Sequence, residues 1–132
     1  MAKKIFSIIM AVVTTATFLG GTALADVSTS DFSCSTYVSD RREDLREFTV
    51  KTIYKKGTVD IITAGIQCCR MDNGTNVGPG ELISNKNSSV AVAYESVKYS
   101  DCSRAVRAFG SHSAYKNGQT VVFEFTQSKE AI

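Results

Sequence analysis

The stretch VDIITAGIQCC, from Val59 to Cys69, decides the fold. Apolar side chains occupy both alternating sets of positions along it, which is typical of a strand buried on both faces. Such a strand needs neighbours on both edges and a layer on each face, so we expect the rest of the chain to build a sheet around it. Gly65 within the run predicts a bulge or a bend.

Further strands are predicted on both sides of this central one. Cys34 to Val38 has the length of a short strand. Three longer segments alternate apolar and polar residues with the period of two that a half-buried strand shows, and these are 47–55, 89–99 and 119–127. In the last of them, the apolar residues predicted to face the core are Val121, Phe123 and Phe125.

One helix and one long loop are predicted between the strands. Ser100 or Asp101 can cap a helix, and apolar residues follow at helical spacing, namely Cys102, Ala105, Val106 and Phe109. Arg70 to Asn87 is rich in turn-forming residues and predicts an irregular loop. The charged run Ser39 to Glu47 would pair like charges at i,i+4 in a helix, so it predicts a solvated turn or hairpin tip. The predicted fold class is therefore α+β and β-rich: a small antiparallel sheet or partly open barrel with one short helix.

Residues 1–25 have the three-part pattern of a cleaved secretory signal peptide. A short basic start precedes an apolar run from Ile5 to Leu19, and Ala23-Leu24-Ala25 supplies the small residues of a cleavage site before Asp26. The apolar run is shorter than the roughly 20 residues that a spanning helix needs. We therefore expect one mature domain, 26–132, in the periplasm or outside the cell, with no transmembrane segment after cleavage.

Export also changes the charge balance of the protein. The chain has 15 Lys and Arg against 13 Asp and Glu. Removal of Lys3 and Lys4 with the signal leaves 13 basic residues and a formal net charge of zero. A balanced surface has no strong field to attract phosphate backbones. The composition therefore gives no support to nucleic-acid binding.

The 4 cysteines all lie in the mature part, and they are Cys34, Cys68, Cys69 and Cys102. An even number in an exported chain predicts two disulfide bonds. Three pairings are possible, and a bond between the adjacent Cys68 and Cys69 would be strained, so bonds from each of them to an outer cysteine are favoured. If 66–70 is a strand, Cys68 and Cys69 point to opposite faces. Metal binding is the alternative, but no CxxC pair is present and only His112 could assist.

The sequence contains no recognisable catalytic motif. Ser111-His112-Ser113 places hydroxyls beside the sole histidine, but a serine hydrolase needs such groups to converge in space with a carboxylate. A polar loop after Gly110 is the simpler interpretation. No calcium loop, Walker motif or dinucleotide glycine pattern appears, so no metal and no cofactor are predicted and an enzyme is not expected.

The residues instead favour a small exported binding protein that recognises or inhibits another protein. The contact surface is predicted in the charged segment 40–47 and the loop 70–88, because loops on a rigid scaffold carry recognition. The candidate contact residues are Asp40, Arg41, Arg42, Asp72, Asn73 and Lys86. Tyrosines offer flat faces with a hydroxyl and are favoured at protein interfaces, and the 5 tyrosines are Tyr37, Tyr54, Tyr94, Tyr99 and Tyr115.

A glycan-binding subunit of a secreted toxin or adhesin is the alternative function. The predicted order of strands, one helix and then the strand GQTVVFEF (118–125) is similar to the order in small OB-type toxin binding subunits. The similarity consists of order and spacing over roughly the last thirty residues, without a shared motif. It implies an OB-like fold, a glycan ligand and a ring oligomer. A protein partner implies no particular assembly, so the sequence leaves the oligomeric state open.

Overall fold

The structure, a computed structural model, describes residues 26–41, 44–98, 105–129 and 131. The predicted signal peptide therefore lies outside the described residues. Within them the chain is all-β and contains no helix, so none of the described residues forms a helix that could cross a membrane. Eight strands follow one another: β1 (Asp26–Ser28), β2 (Phe32–Arg41), β3 (Leu45–Tyr54), β4 (Val59–Arg70), β5 (Asn76–Ser88), β6 (Val90–Lys98), β7 (Val106–Lys116) and β8 (Gln119–Gln127).

The strands form two antiparallel sheets that enclose one core. The first sheet has the order β1-β2-β3-β6 and the second has the order β5-β4-β7-β8. Strand β4 pairs with β5 on one edge and with β7 on the other, which confirms the central strand predicted at Val59–Cys69. The core lies between the sheets, where Phe48 and Val50 of the first sheet belong to the same cluster as Ile62 and Ile66 of the second.

The predicted α+β class with one short helix is wrong. The segment proposed as a helix continues into β7, which pairs with β4 from Val106 to Tyr115, while 99–104 lie outside the described residues. Strand β7 is buried on both faces: Val106 and Ala108 belong to the core, and Phe109 packs on the other side. A strand of this kind gives a run of apolar residues that periodicity alone cannot distinguish from a helix.

The predicted loop at 70–88 is also mostly strand. Only a short turn separates β4 from β5, and β5 then pairs with β4 as far as Ser88. The glycines that suggested a loop instead form a bulge: Gly78 and Gly80 have φ of 83° and 75°, in the left-handed region that favours glycine. The register between β4 and β5 shifts opposite them, between Ile66 and Cys68. The sequence predicts a bulge or a bend at Gly65, and the observed register shift lies just beyond it, after Ile66.

The predicted framework of two disulfide bonds is wrong as well. Among the described cysteines, no two lie at bonding distance, and Cys102 lies outside the described residues. Cys34 and Cys68 are fully buried in the core, whereas Cys69 packs with Phe109 on the opposite face of the second sheet. The prediction that Cys68 and Cys69 point to opposite faces is thus confirmed, and the described cysteines pack as small apolar side chains.

Candidate functional site

The outer face of the first sheet carries two tyrosines with a threonine between them. Register pairs Tyr37 of β2 with Thr49 of β3, and Thr49 with Tyr94 of β6. The chain neighbours of Thr49, Phe48 and Val50, point into the core, so strand alternation places these three residues on the opposite face. Directly opposed side chains on one face have Cβ atoms about 5 Å apart. We call this continuous set of three residues the tyrosine row.

The tyrosine row combines accessible aromatic rings with a polar group that lacks a partner. Tyr37 is 43% exposed and Tyr94 is 55% exposed, but Thr49 between them is only 2% exposed. The Thr49 hydroxyl makes no hydrogen bond. A buried hydroxyl without a partner costs on the order of 1–3 kcal/mol, and the neighbouring side chains shield this one from solvent.

The face around the tyrosine row carries few charges. Strand β3 contributes Glu47 and Lys51, on either side of Thr49, and Glu47 accepts a hydrogen bond of 3.0 Å from Ser39. The other outward positions near the row are short or apolar, and they are Ser33, Ser35, Ile53, Val90, Val92 and Ser96. Low charge and accessible tyrosine are the compositional signs of the centre of a protein interface.

A groove of about 260 Å³ lies beside Tyr37, at the edge of the first sheet. Strand β1 pairs with β2 only from Ser33 to Ser35. Within the described residues, the edge of β2 from Thr36 to Arg41 therefore has no neighbouring strand, and the groove follows it. We call it the edge groove, and its lining residues are Asp26, Thr36, Tyr37, Val38, Arg41, Gln127 and Lys129.

A buried chain of hydrogen bonds ends at Thr36 and fixes the protonation of His112. Thr52 donates to the carbonyl of Thr63 at 2.8 Å, so its oxygen accepts from Nδ1–H of His112 at 2.7 Å. Nε2 of His112 then carries no proton and accepts from Thr126 at 2.7 Å, and Thr126 accepts from Thr36 at 2.5 Å. Burial lowers the pKa of His112 to about 3, so the ring is neutral.

The interpretation of Ser111-His112-Ser113 as a polar loop is wrong, because all three residues are buried in β7. His112 points into the core, and strand alternation turns both serines to the other face. Ser113 forms a hydrogen bond with the Thr63 hydroxyl there. Neither serine therefore meets the imidazole, and the contacts of His112 connect the two sheets.

Two carboxylates join the sheets on the opposite side of the sandwich. Glu95 of β6 accepts hydrogen bonds from the amides of Gly80 at 2.9 Å and Cys68 at 3.2 Å. Glu81 of β5, in the second sheet, accepts a hydrogen bond from the amide of Tyr94 in the first sheet at 2.9 Å. Burial raises the pKa of Glu95, and its hydrogen bonds to the amides oppose that effect. Each carboxylate thus satisfies amides of the other sheet and closes the side formed by β5 and β6.

The contact residues predicted from the sequence lie on separate segments of the chain. Asp40 and Arg41 end β2, and Arg42 lies outside the described residues. Asp72 and Asn73 lie in the turn between β4 and β5. Both of these have local partners, because Asp72 pairs with the neighbouring Arg70 at 2.7 Å and Asn73 accepts from the amide of Thr75 at 3.0 Å.

Register shows which of these residues share an end of the sandwich. Glu95 lies opposite Phe48 on β3 and bonds to the amide of Cys68 on β4. From this level, the end of β2 and the turn after β4 lie toward the same end of the sandwich. Lys86 instead pairs with Ile61, near the start of β4, which is about 30 Å from the end of that strand at about 3.3 Å per residue. The structure therefore does not unite Lys86 with the other candidates.

Sequence reasoning did not single out several residues of these sites. Glu95 occupies the same alternating set as Ala91, Ala93 and Val97, so its place among buried positions could have been read from β6. Thr49 and Lys129 gave no such signal. Their importance depends on strand register and on how the two sheets pack, and neither is encoded within a single segment.

No protein family matches the sequence, and no curated protein is similar to it. Among solved structures, the crystal structure of a protein from Archaeoglobus fulgidus is similar, with a TM-score of 0.40 and 11% sequence identity. The similar region covers 77% of this chain and 94% of that chain. A likeness of this degree carries no functional argument.

Proposed function

We propose that this protein is a small exported binding protein without catalytic activity, which recognises another protein through the outer face of its first sheet. The tyrosine row is the observation that supports this function most. Tyr37 and Tyr94 offer large, rigid contact surfaces that lose little conformational entropy on binding.

Two buried groups favour a binding role over a catalytic one. The His112 ring, the only imidazole in the chain, is held neutral by two threonines in the core. Burial, with a smaller contribution from the Glu124 carboxylate, raises the pKa of the Cys34 thiol to about 12, whereas a thiol nucleophile needs a lowered pKa. Neither group is arranged to attack or deprotonate a substrate.

The exported location rests on the signal-peptide pattern of residues 1–25. The expected form is a chain that begins at Asp26, located in the periplasm or outside the cell. Intact-mass measurement of the protein recovered from the source organism tests this directly. Recovery of the chain with residues 1–25 still attached, inside the cell, would contradict export.

Identification of a glycan as the bound molecule would contradict the proposed recognition of a protein. The alternative of a toxin or adhesin subunit depended on an OB-like order with one helix, and the described chain instead forms two four-stranded sheets without a helix. Exposed tyrosines can stack on sugars as well as on proteins. The experiment must therefore identify the chemical nature of the bound molecule.

Photo-crosslinking in the source organism tests the recognition face. We would replace Tyr94 by p-benzoylphenylalanine and, in a matched control, place the same residue at Thr120, which is exposed on β8 of the second sheet. The expected result is one dominant protein adduct at position 94 that is absent at position 120. Equal adducts at both positions, no protein adduct at position 94, or a carbohydrate adduct there would each overturn the proposal.

A further inference from the structure

We propose that the edge groove binds an extended acidic segment of the partner protein, which adds as a strand to the open edge of β2. This inference rests on the proposed binding function and specifies the form of the ligand. It concerns the edge of the first sheet, whereas the tyrosine row lies on its face. Tyr37 belongs to both, so one partner can reach the two surfaces together.

The backbone of β2 provides the main attraction. An unpaired strand edge presents N–H and C=O groups that another chain can bond, and recognition by strand addition uses these groups. Strand β1 occupies this edge only as far as Ser35, opposite Asp26. In a mature protein that begins at Asp26, the edge from Thr36 to Arg41 is available to a ligand. It spans about 17 Å at about 3.3 Å per residue, which suits roughly five ligand residues.

The ligand would run antiparallel to β2, in line with β1. Antiparallel addition would place the C-terminal end of the ligand next to Asp26, the first residue of β1.

The charges that line the groove favour an acidic ligand. Arg41 approaches from β2 and Lys129 from the segment after β8, and both side chains are exposed. Neither forms an ion pair with a described residue. Asp26 lies at the β1 end of the groove, where cleavage would add an α-ammonium group beside its carboxylate. The cationic side chains of Arg41 and Lys129 can then pair with alternate carboxylates of an extended ligand.

Strand addition can be tested with short synthetic peptides and the mature protein. The probe is a fluorescein-labelled hexapeptide, Thr-Glu-Val-Glu-Thr-Glu, and its affinity is measured by fluorescence anisotropy at low salt. One comparison peptide replaces each Glu by Lys, and another carries N-methyl groups on alternate residues so that it cannot pair as a strand. We expect each comparison peptide to bind at least tenfold more weakly than the probe. Equal affinity of either one would overturn the inference.

Variants locate the binding site on the protein. Arg41→Gln combined with Lys129→Gln should weaken probe binding at least tenfold. The matched control combines Lys56→Gln with Lys116→Gln, which removes the same charge away from the edge groove and should leave the affinity unchanged. Equal weakening by both pairs would overturn the inference. Native mass spectrometry that shows a dimer dissociated by the probe would also overturn it, because a second copy would then be the occupant.

The two proposals fail separately. Crosslinking from position 94 does not require the edge groove, so a protein adduct there without probe binding would overturn strand addition alone. Probe binding without an adduct at position 94 would overturn recognition through the tyrosine row alone.

Discussion

Two hydrogen bonds hold the His112 ring in the core, one to Thr52 and one from Thr126. Burial lowers the pKa of the ring from 6.5 to about 3. As the pH falls, His112 is therefore protonated earlier in the unfolded chain than in the folded protein. The stabilising contribution is complete above about pH 6.5 and is lost as the pH falls toward about 3. The loss approaches about 1.4 kcal/mol per pH unit within that window.

The substitution His112→Gln isolates this effect. We expect the free energy of unfolding of the wild type to fall by about 2 kcal/mol more than that of the variant between about pH 6.5 and about pH 4.5. The variant should already be less stable at neutral pH, because the amide cannot satisfy both threonines. Urea unfolding at several pH values measures the difference. Parallel pH profiles for the two proteins would show that His112 is not held neutral.

Burial also determines the reactivity of Cys34. Its side chain is fully buried, and burial raises the pKa of the thiol to about 12. The thiolate is therefore scarce near pH 8, and reagents cannot reach it. We expect native labelling of Cys34 by iodoacetamide to be at least 100-fold slower than labelling in concentrated urea, measured by peptide mass mapping. Comparable rates in the two conditions would contradict the burial of this residue.

At the scale of elements, carboxylates join β5 to β6 across the two sheets. The amides of Cys68 and Gly80 donate to Glu95, so Glu95→Ala removes an acceptor from both of these donors. We expect a loss of about 2 kcal/mol in the free energy of unfolding and at least tenfold faster hydrogen exchange at both amides. Amide exchange measured by NMR provides the test.

The substitution Glu81→Ala is the matched control for this pair of strands. It removes the acceptor of the Tyr94 amide alone. Exchange should therefore accelerate at Tyr94 and remain unchanged at Cys68 and Gly80. If Glu95→Ala leaves the exchange of Cys68 and Gly80 unchanged, then Glu95 does not join the sheets.

Strands buried on one face could be predicted from alternation, as β3 and β6 were. The predicted inward orientation of β8 holds for Val121, which packs against the core, but is wrong for the two phenylalanines. Val122 belongs to the core instead, whereas Phe123 is 48% exposed. Val121 is an extra residue at the register shift between β7 and β8. Phe123 contacts Phe125 edge to face at 5.3 Å between ring centres, and Phe125 packs on Cys69 outside the main core. Alternation assigns the more apolar face of β8 to the core, whereas the structure turns Val122 and Thr126 inward.

At the scale of the whole molecule, the two sides of the sandwich differ. The side formed by β5 and β6 is closed by Glu81 and Glu95. The side formed by β2 and β8 is joined by the hydroxyls of Thr36 and Thr126 and contains the edge groove. Sequence reasoning could not predict this asymmetry, because it depends on how strands distant in the chain are paired. It gives the proposed binding surfaces a stable scaffold on one side and an accessible edge on the other.

The function proposed for the whole molecule is recognition of a protein partner by the tyrosine row. The most direct test titrates the partner captured at position 94 into the wild-type protein and into the variant that combines Tyr37→Ala with Tyr94→Ala, by calorimetry. The two side chains are 43% and 55% exposed, so the variant should stay folded, which its circular dichroism spectrum checks. We predict at least tenfold weaker binding by the variant, about 1.4 kcal/mol or more. Equal affinity of the two proteins for the partner would show that the tyrosine row does not form the binding surface.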